Sequence, residues 1–196
     1  MKFLDDKDLI NKIAKADRKA FATLYMLFKD RVFTTAFSYL RLTEDAEELT
    51  QDVFVEISRS AKFFDVRSSV STWIYKITVN KSLDKLRYIR AKKRFSFLPS
   101  MLKEDRDDSL KNNIPDTTHH GLEADKKESL AILLAAIDRL PANQKTALIL
   151  TQLEYLKGKE AAEIMGVSAK AIEGLIQRAK SNLRKELEKI YNRQGK

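Results

Sequence analysis

The stretch Glu160-Ala161-Ala162-Glu163-Ile164-Met165-Gly166-Val167-Ser168 decides how this chain reads. It spells a short helix that is stopped by a glycine and followed at once by a serine. Gly166 stands where a left-handed residue ends a helix, because it has no Cβ to clash there. Ser168 is placed to accept an orphan amide at the start of the next helix. Two helices joined by three residues through a glycine predict a helix-turn-helix, whose second helix fits a major groove.

Behind this motif the chain is basic. Residues 178–196 hold seven bases against two acids, and residues 81–94 hold seven bases against Asp84 alone. The formal net charge is +9, so the rest of the chain is slightly acidic. Two separate positive footprints point to a polyanion contacted twice. A membrane surface would call for similar charge, so charge by itself does not choose the partner.

Composition narrows the classes further. The 196 residues suffice for one or two small domains. Only five glycines and three prolines are present, which disfavours many short strands and favours helices. Cysteine is absent, which excludes disulfides, thiol catalysis and thiolate zinc sites, and fits a reducing compartment. The start, Met1-Lys2-Phe3-Leu4-Asp5-Asp6, lacks the apolar core of a secretory signal. The longest apolar run, residues 130–137, falls far short of the ~20 needed to span a bilayer. The expected location is the cytoplasm.

Working back from the motif, Leu130, Leu133, Leu134 and Ile137 form a stripe that ends at Leu140. Pro141 suits the first turn of a helix carrying Ala147, Ile149, Leu150 and Leu153. The motif's first helix is expected over residues 159–165 and its second from Ser168 to about Tyr191. Residues 96–122 have no helical period: Pro99, Pro115, the run Glu104-Asp105-Arg106-Asp107-Asp108 and His119-His120-Gly121 read as a linker. Before it, Asp17 is a predicted N-cap for Phe21, Leu24, Tyr25 and Phe28. Thr43 is a predicted cap for a helix with the stripe Ala46, Leu49, Val53, Phe54 and Ile57. Glu44, Asp45, Glu47 and Glu48 sit near that helix start, where the dipole favours anions. A polar break over residues 62–71 leads to a helix from about Thr72 to Arg90, with Ser71 as its expected cap. The expected fold is all-α, with an N-terminal helical bundle (residues 1–95), a flexible linker (96–122) and a C-terminal four-helix domain with the helix-turn-helix (123–196).

At about 100° per residue, Trp73, Lys76, Asn80, Asp84 and Arg87 share one face of the helix over residues 72–90. Tyr75, Val79, Leu83 and Leu86 share another, which is the expected core face. A ring can stack on an unpaired base, an amide can read a base edge, and cations can hold phosphates. Burial of Trp73 in the core is the plainer alternative.

These segments resemble one family in order. Residues 45–54, Asp45-Ala46-Glu47-Glu48-Leu49-Thr50-Gln51-Asp52-Val53-Phe54, resemble the helix by which sigma factors bind the RNA polymerase clamp. Residues 71–77, Ser71-Thr72-Trp73-Ile74-Tyr75-Lys76-Ile77, with Asn80, Asp84 and Arg87, are similar to the promoter-melting helix of the extracytoplasmic-function (ECF) group. Leu140-Pro141, residues 160–168, Gln177-Arg178-Ala179-Lys180 and Leu183-Arg184 resemble that group's C-terminal domain. The resemblance implies polymerase contacts at Asp45, Glu48, Gln51, Asp52 and Phe54. It implies −10 element contacts at Lys62, Arg67, Ser68, Trp73, Lys76, Asn80, Lys81, Arg87 and Arg90. For the −35 element it implies Ser168, Ala169, Lys170, Glu173, Gln177, Arg178 and Lys180. The linker would thread the polymerase interior, the partners would be core RNA polymerase and promoter DNA, and an anti-sigma protein is common in the group. Neither catalysis nor a cofactor is implied. Ala171, Glu173 and Leu175 depart from the Thr and Arg or Lys frequent in family recognition helices, which implies weak −35 binding by the isolated domain.

Other classes fit less of the chain. A helical di-metal enzyme needs Glu-x-x-His pairs, and the only histidines, His119 and His120, fall in the linker. A dimeric helix-turn-helix regulator accounts for the tail but gives the basic helix over residues 81–94 no role. An RNA-binding or antitermination protein would prefer RNA to promoter DNA.

Overall fold

A computed structural model describes residues 6–65, 67–96 and 123–194, and every regular element among them is helical. The chain divides into two compact units whose main boundary falls after Lys93. The linker residues 97–122, with Pro99, Pro115, His119 and His120, lie outside the described residues.

The first unit holds α1 (Asp6–Ala14), α2 (Arg18–Leu40), α3 (Thr43–Ser60), a 3-10 turn (Ala61–Phe63) and α4 (Val70–Ser96). As expected, Asp17 caps α2: its carboxylate accepts the amides of Lys19 at 2.8 Å and Ala20 at 3.1 Å. Arg41, in the left-handed region at φ 63°, ends the helix and donates its amide to the Phe37 carbonyl. Thr43, the expected cap of α3, is its first helical residue instead. Leu42 precedes it without a side-chain cap, and Glu44 and Asp45 supply the favourable charge in the first turn. Helix α1 packs on α2, α3 and the 3-10 turn, and α2 packs on α3. The core gathers Ile10, Leu24, Val32, Tyr39, Val53 and Ile57, each nearly sealed from solvent.

Helix α4 starts earlier than its sequence suggests. Ser69, not Ser71, caps it, accepting the Thr72 amide at 3.0 Å and donating to the Thr72 hydroxyl at 2.8 Å. Burial selects this start, because Val70 and Thr72 both turn inward. Tyr75 and Val79 are buried as expected, whereas Leu83 and Leu86 are only half-buried. The core face is shifted toward Ile74, Thr78 and Ser82. The two hydroxyls are tolerated there because each donates to the carbonyl four residues back, at 2.8 Å.

After residue 122 the chain forms α5 (Glu123–Asp138), α6 (Ala142–Leu148) continued by a π turn (Ile149–Leu153), α7 (Gly158–Met165) and α8 (Ala169–Gln194). Pro141 immediately precedes α6, and its carbonyl accepts the Lys145 amide. Ile137, Leu140, Leu148 and Ala179 form a core with Leu133 and Leu183 packed on it, while α8 lies against α5 and α6. Leu130 and Leu153, both expected in apolar stripes, are each 42% exposed. The Lys145 side chain is buried and bonds Asp138, which ties the end of α5 to α6. Asn182 of α8 donates to Gln144 of α6 at 2.9 Å.

Candidate polymerase and nucleic-acid interfaces

The acidic helix α3 has a packed side and a wet side. Ala46, Leu49, Val53, Phe54 and Ile57 are buried, and Glu44, Glu47, Glu48, Gln51 and Asp52 are exposed. Asp45 is half-buried. Phe54 is 3% exposed, its ring against Tyr25 (centroids 4.7 Å apart) and edge-on to Phe21 (6.3 Å). It therefore holds α3 to α2 and is not a surface contact, a correction to its reading as one. The sequence reading passed over Val55, which is 47% exposed beside Gln51 and Asp52. Its position one turn after Gln51 and outside the apolar stripe was the available signal.

Two cations of α4 face α3. The Lys85 ammonium bonds Glu48 at 2.7 Å and lies 3.5 Å from Asp45; Lys81 lies 3.9 Å from Glu56. The Glu48 hydrogen bond raises the Lys85 pKa above its ordinary 10.5. The side of α4 turned to solvent carries Lys76, Asn80, Asp84, Arg87 and Arg90, all exposed. Arg87 pairs with Asp84 one turn back at 2.6 Å. The helix thus divides its positive charge: Lys81 and Lys85 join it to the acidic neighbour, while Lys76, Arg87 and Arg90 stay outward with the amide of Asn80.

At the start of α4, Trp73 is half-buried, its ring 5.0 Å from that of Phe64. Lys62 and Arg67 are exposed and Ser68 is half-buried. Arg67 grips Asp65 with Nε at 3.1 Å from Oδ1 and Nη2 at 2.8 Å from Oδ2, and donates its amide to the same carboxylate. These hydrogen bonds from Arg67, side chain first, push the Asp65 pKa down to about 2. The Ser68 amide donates to the Asp65 carbonyl at 3.0 Å. The loop is braced from within.

Between α7 and α8 the turn forms as its sequence requires. Gly166 is left-handed at φ 65°, and Ser168 Oγ accepts the Ala171 amide at 3.1 Å. A second cap opens α7, where Glu160 accepts the Lys157 amide at 2.8 Å. The cap Ser168 and, on α8, Ala169, Lys170, Glu173, Gln177, Arg178 and Lys180 are all exposed, while Ile172 and Ala179 are buried. Glu173, Gln177 and Lys180 line a shallow groove with Ile176. Of the three departures from the family pattern, Ala171 and Leu175 are half-buried, and only Glu173 lies on the outward face.

Among the described residues there is no cluster of three or more metal-ligating side chains, and no helix is long and apolar enough to cross a membrane. A capped helix-turn-helix near the C-terminus and the cationic helix α4 define a helical, DNA-binding class of protein. Comparison with known families narrows that class. Sigma-70 region 2 matches residues 24–94, and Sigma-70 region 4 matches residues 130–183. The ECF RNA polymerase sigma factor SigW of Bacillus subtilis is 26% identical over 187 residues, spanning 92% of this chain and 96% of its own length. The ECF RNA polymerase sigma-E factor of Haemophilus influenzae is 27% identical, spanning 95% and 97%. Among solved structures, CnrH in complex with the cytosolic domain of CnrY shares the fold with a TM-score of 0.66 at 21% identity, covering 94% of this chain and 98% of CnrH. The chain belongs to the sigma-70 family in its ECF group: it is an alternative sigma factor that directs transcription initiation.

Proposed function

We propose that the N-terminal unit binds the clamp of core RNA polymerase through Asp45, Glu48, Gln51 and Asp52, with Val55 as the apolar centre of that face. The outward face of α4, with Lys76, Asn80, Arg87 and Arg90, takes the −10 element as a single strand together with Lys62 of the 3-10 turn and the braced loop carrying Arg67 and Ser68. Lys81, turned toward Glu56 of α3, is left out of that face. The C-terminal unit sets α8 in the major groove of the −35 element through Lys170, Gln177, Arg178 and Lys180. There Glu173 accepts from a cytosine amino group and keeps the isolated unit's affinity low. The chain itself carries out no catalysis, acts in the cytoplasm, and passes residues 96–122 through the polymerase interior. CnrH is described in complex with the cytosolic domain of CnrY, and RpoE of Bartonella quintana with the anti-sigma factor NepR. We infer an anti-sigma partner for this chain as well.

The observation that supports the reading best is the division of charge on α4. Cations that only steadied the fold would all face acids, yet Lys76, one turn before Asn80, and Arg90, further along the helix, are both exposed. Run-off transcription with purified core enzyme across a genomic library tests it. Discrete transcripts that require the chain support the reading; the same products from core enzyme alone, or none from either, refute it.

A further inference from the structure

Among the described residues, three that are not glycine hold a left-handed backbone: Ala16 (φ 63°), Arg41 (φ 63°) and Tyr155 (φ 54°). Ala16 carries only a methyl group, and Arg41 turns guanidinium nitrogens into the interior. Tyr155 does neither. It stands just past the π turn, and it is 86% exposed.

The conformation is imposed from both sides. Before it, the Glu154 amide donates to the Ile149 carbonyl; after it, the Leu156 amide reaches back to the Leu150 carbonyl, each at 3.0 Å. A left-handed residue reverses the chain between those two bonds, and a Cβ there crowds the following carbonyl. Glycine carries no such penalty, and the chain uses one for the same task at Gly166, φ 65°. A tyrosine at position 155 therefore costs stability, and a ring left in water returns nothing to the fold. Strain held beneath an exposed side chain points to a contact made outside the chain.

The surroundings give the chemistry of that contact. Lys157 and Lys159 follow, both exposed, and α7 begins between them. The nearby acid Glu160 is occupied as a cap on the Lys157 amide. In a helix-turn-helix the second helix enters the groove while the first crosses the sugar-phosphate backbone, and α7 is that first helix. A phenol hydroxyl donates well to a phosphate oxygen, and two ammonium groups draw the same anion.

Building on the sigma-factor reading above, we infer that Tyr155 is a backbone contact to the −35 duplex, its hydroxyl donating to one phosphate on the strand that α7 crosses. Lys157 and Lys159 hold the neighbouring phosphates. The turn gives up stability for affinity that does not depend on sequence, and this offsets what Glu173 withholds on the recognition helix.

The test uses holoenzyme assembled from core polymerase and the full chain, on a promoter found by run-off and on the same fragment without its −35 half. Y155G is expected to raise the urea midpoint of the chain, yet to bind the complete promoter roughly tenfold more weakly. Y155F should show a similar loss of affinity at an unchanged midpoint. On the shortened fragment, and against core polymerase alone, wild type and both variants should bind equally. The loss should be the same for every −35 sequence and leave the log-log salt slope unmoved, whereas K157A should reduce that slope by about one. A methylphosphonate moved along the −35 backbone should weaken wild type at one position to which Y155F is indifferent. Unchanged promoter affinity in Y155G and Y155F, while wild type initiates normally, would overturn the inference alone. A lowered midpoint in Y155G would also overturn it, by making the ring part of the fold. Loss of core affinity would do the same, by placing the ring against the polymerase. Failure of wild type to initiate at any promoter would overturn the sigma-factor reading first, and the inference with it.

Discussion

Lys85 of α4 bonds Glu48 of α3 at 2.7 Å while lying 3.5 Å from Asp45, so one ammonium spans two carboxylates on the helix proposed to meet the polymerase. The pair is partly exposed and its stabilisation is modest. K85A should lower stability by about 0.5–1 kcal/mol, seen as a lower urea midpoint. Because the Lys85 pKa is raised, this contribution is complete below pH 10.5 and fades only as pH climbs through the folded value. A double-mutant cycle with E48A that shows no coupling would remove the pair from the account.

Phe54 and the pair Gln51 and Asp52 separate packing from recognition. F54A removes a buried ring from its contacts with Tyr25 and Phe21 and should cost about 3–5 kcal/mol of stability. Q51A with D52A should leave the melting curve within about 0.5 kcal/mol and weaken core binding at least several-fold. Equal losses of stability in the two variants would undo the distinction.

Asn80 and Lys76 share the outward face of α4 one turn apart and should fail differently. N80A should impair promoter opening more than polymerase binding, since an amide reads a base edge. K76A should weaken binding across all promoter sequences and reduce the log-log salt slope by about one. Filter binding at several salt concentrations, set beside core-binding affinity, checks both.

Asp65 should titrate to about 2 in the native protein, below its ordinary 3.8, because Arg67 bonds the ionised form. The bracing of the loop is then complete above pH 3.8 and is lost as pH falls toward 2. Carboxyl-carbon NMR follows the titration directly. R67A should return Asp65 toward its ordinary value, and a titration unmoved by R67A would contradict the assignment.

At the turn between α7 and α8, a Cβ on Gly166 would meet nothing within 4 Å, so only its φ of 65° resists substitution. G166A should cost about 1–2 kcal/mol, and G166N less, since asparagine tolerates the left-handed region. S168A should cost about 1 kcal/mol through the lost cap. Urea unfolding of the three variants gives the order.

How much of this was legible in the residues follows from how local each decision is. The Asp17 cap, the Gly166 stop and the Ser168 cap depend on atoms within three residues, and all three form as read. The α4 start does not: Ser69 and Ser71 are chemically equal caps, and burial of Val70 chose between them. Thr78 and Ser82 reach the core because their hydroxyls return to backbone carbonyls, which an apolar-stripe reading cannot see. Phe54 was visible as apolar, yet its rank as core over surface waited on Tyr25 and Phe21. Phe63 and Phe64 are adjacent and identical, and only the turn decides which one is half-buried against Trp73.

The most direct measurement is permanganate probing of unpaired thymines on promoter DNA with core polymerase. The account predicts reactive thymines in the −10 region only when core enzyme and chain are both present, with reactivity reduced in N80A. It would be contradicted by thymines that stay unreactive with both present, while the chain alone binds a palindromic duplex as a two-fold dimer.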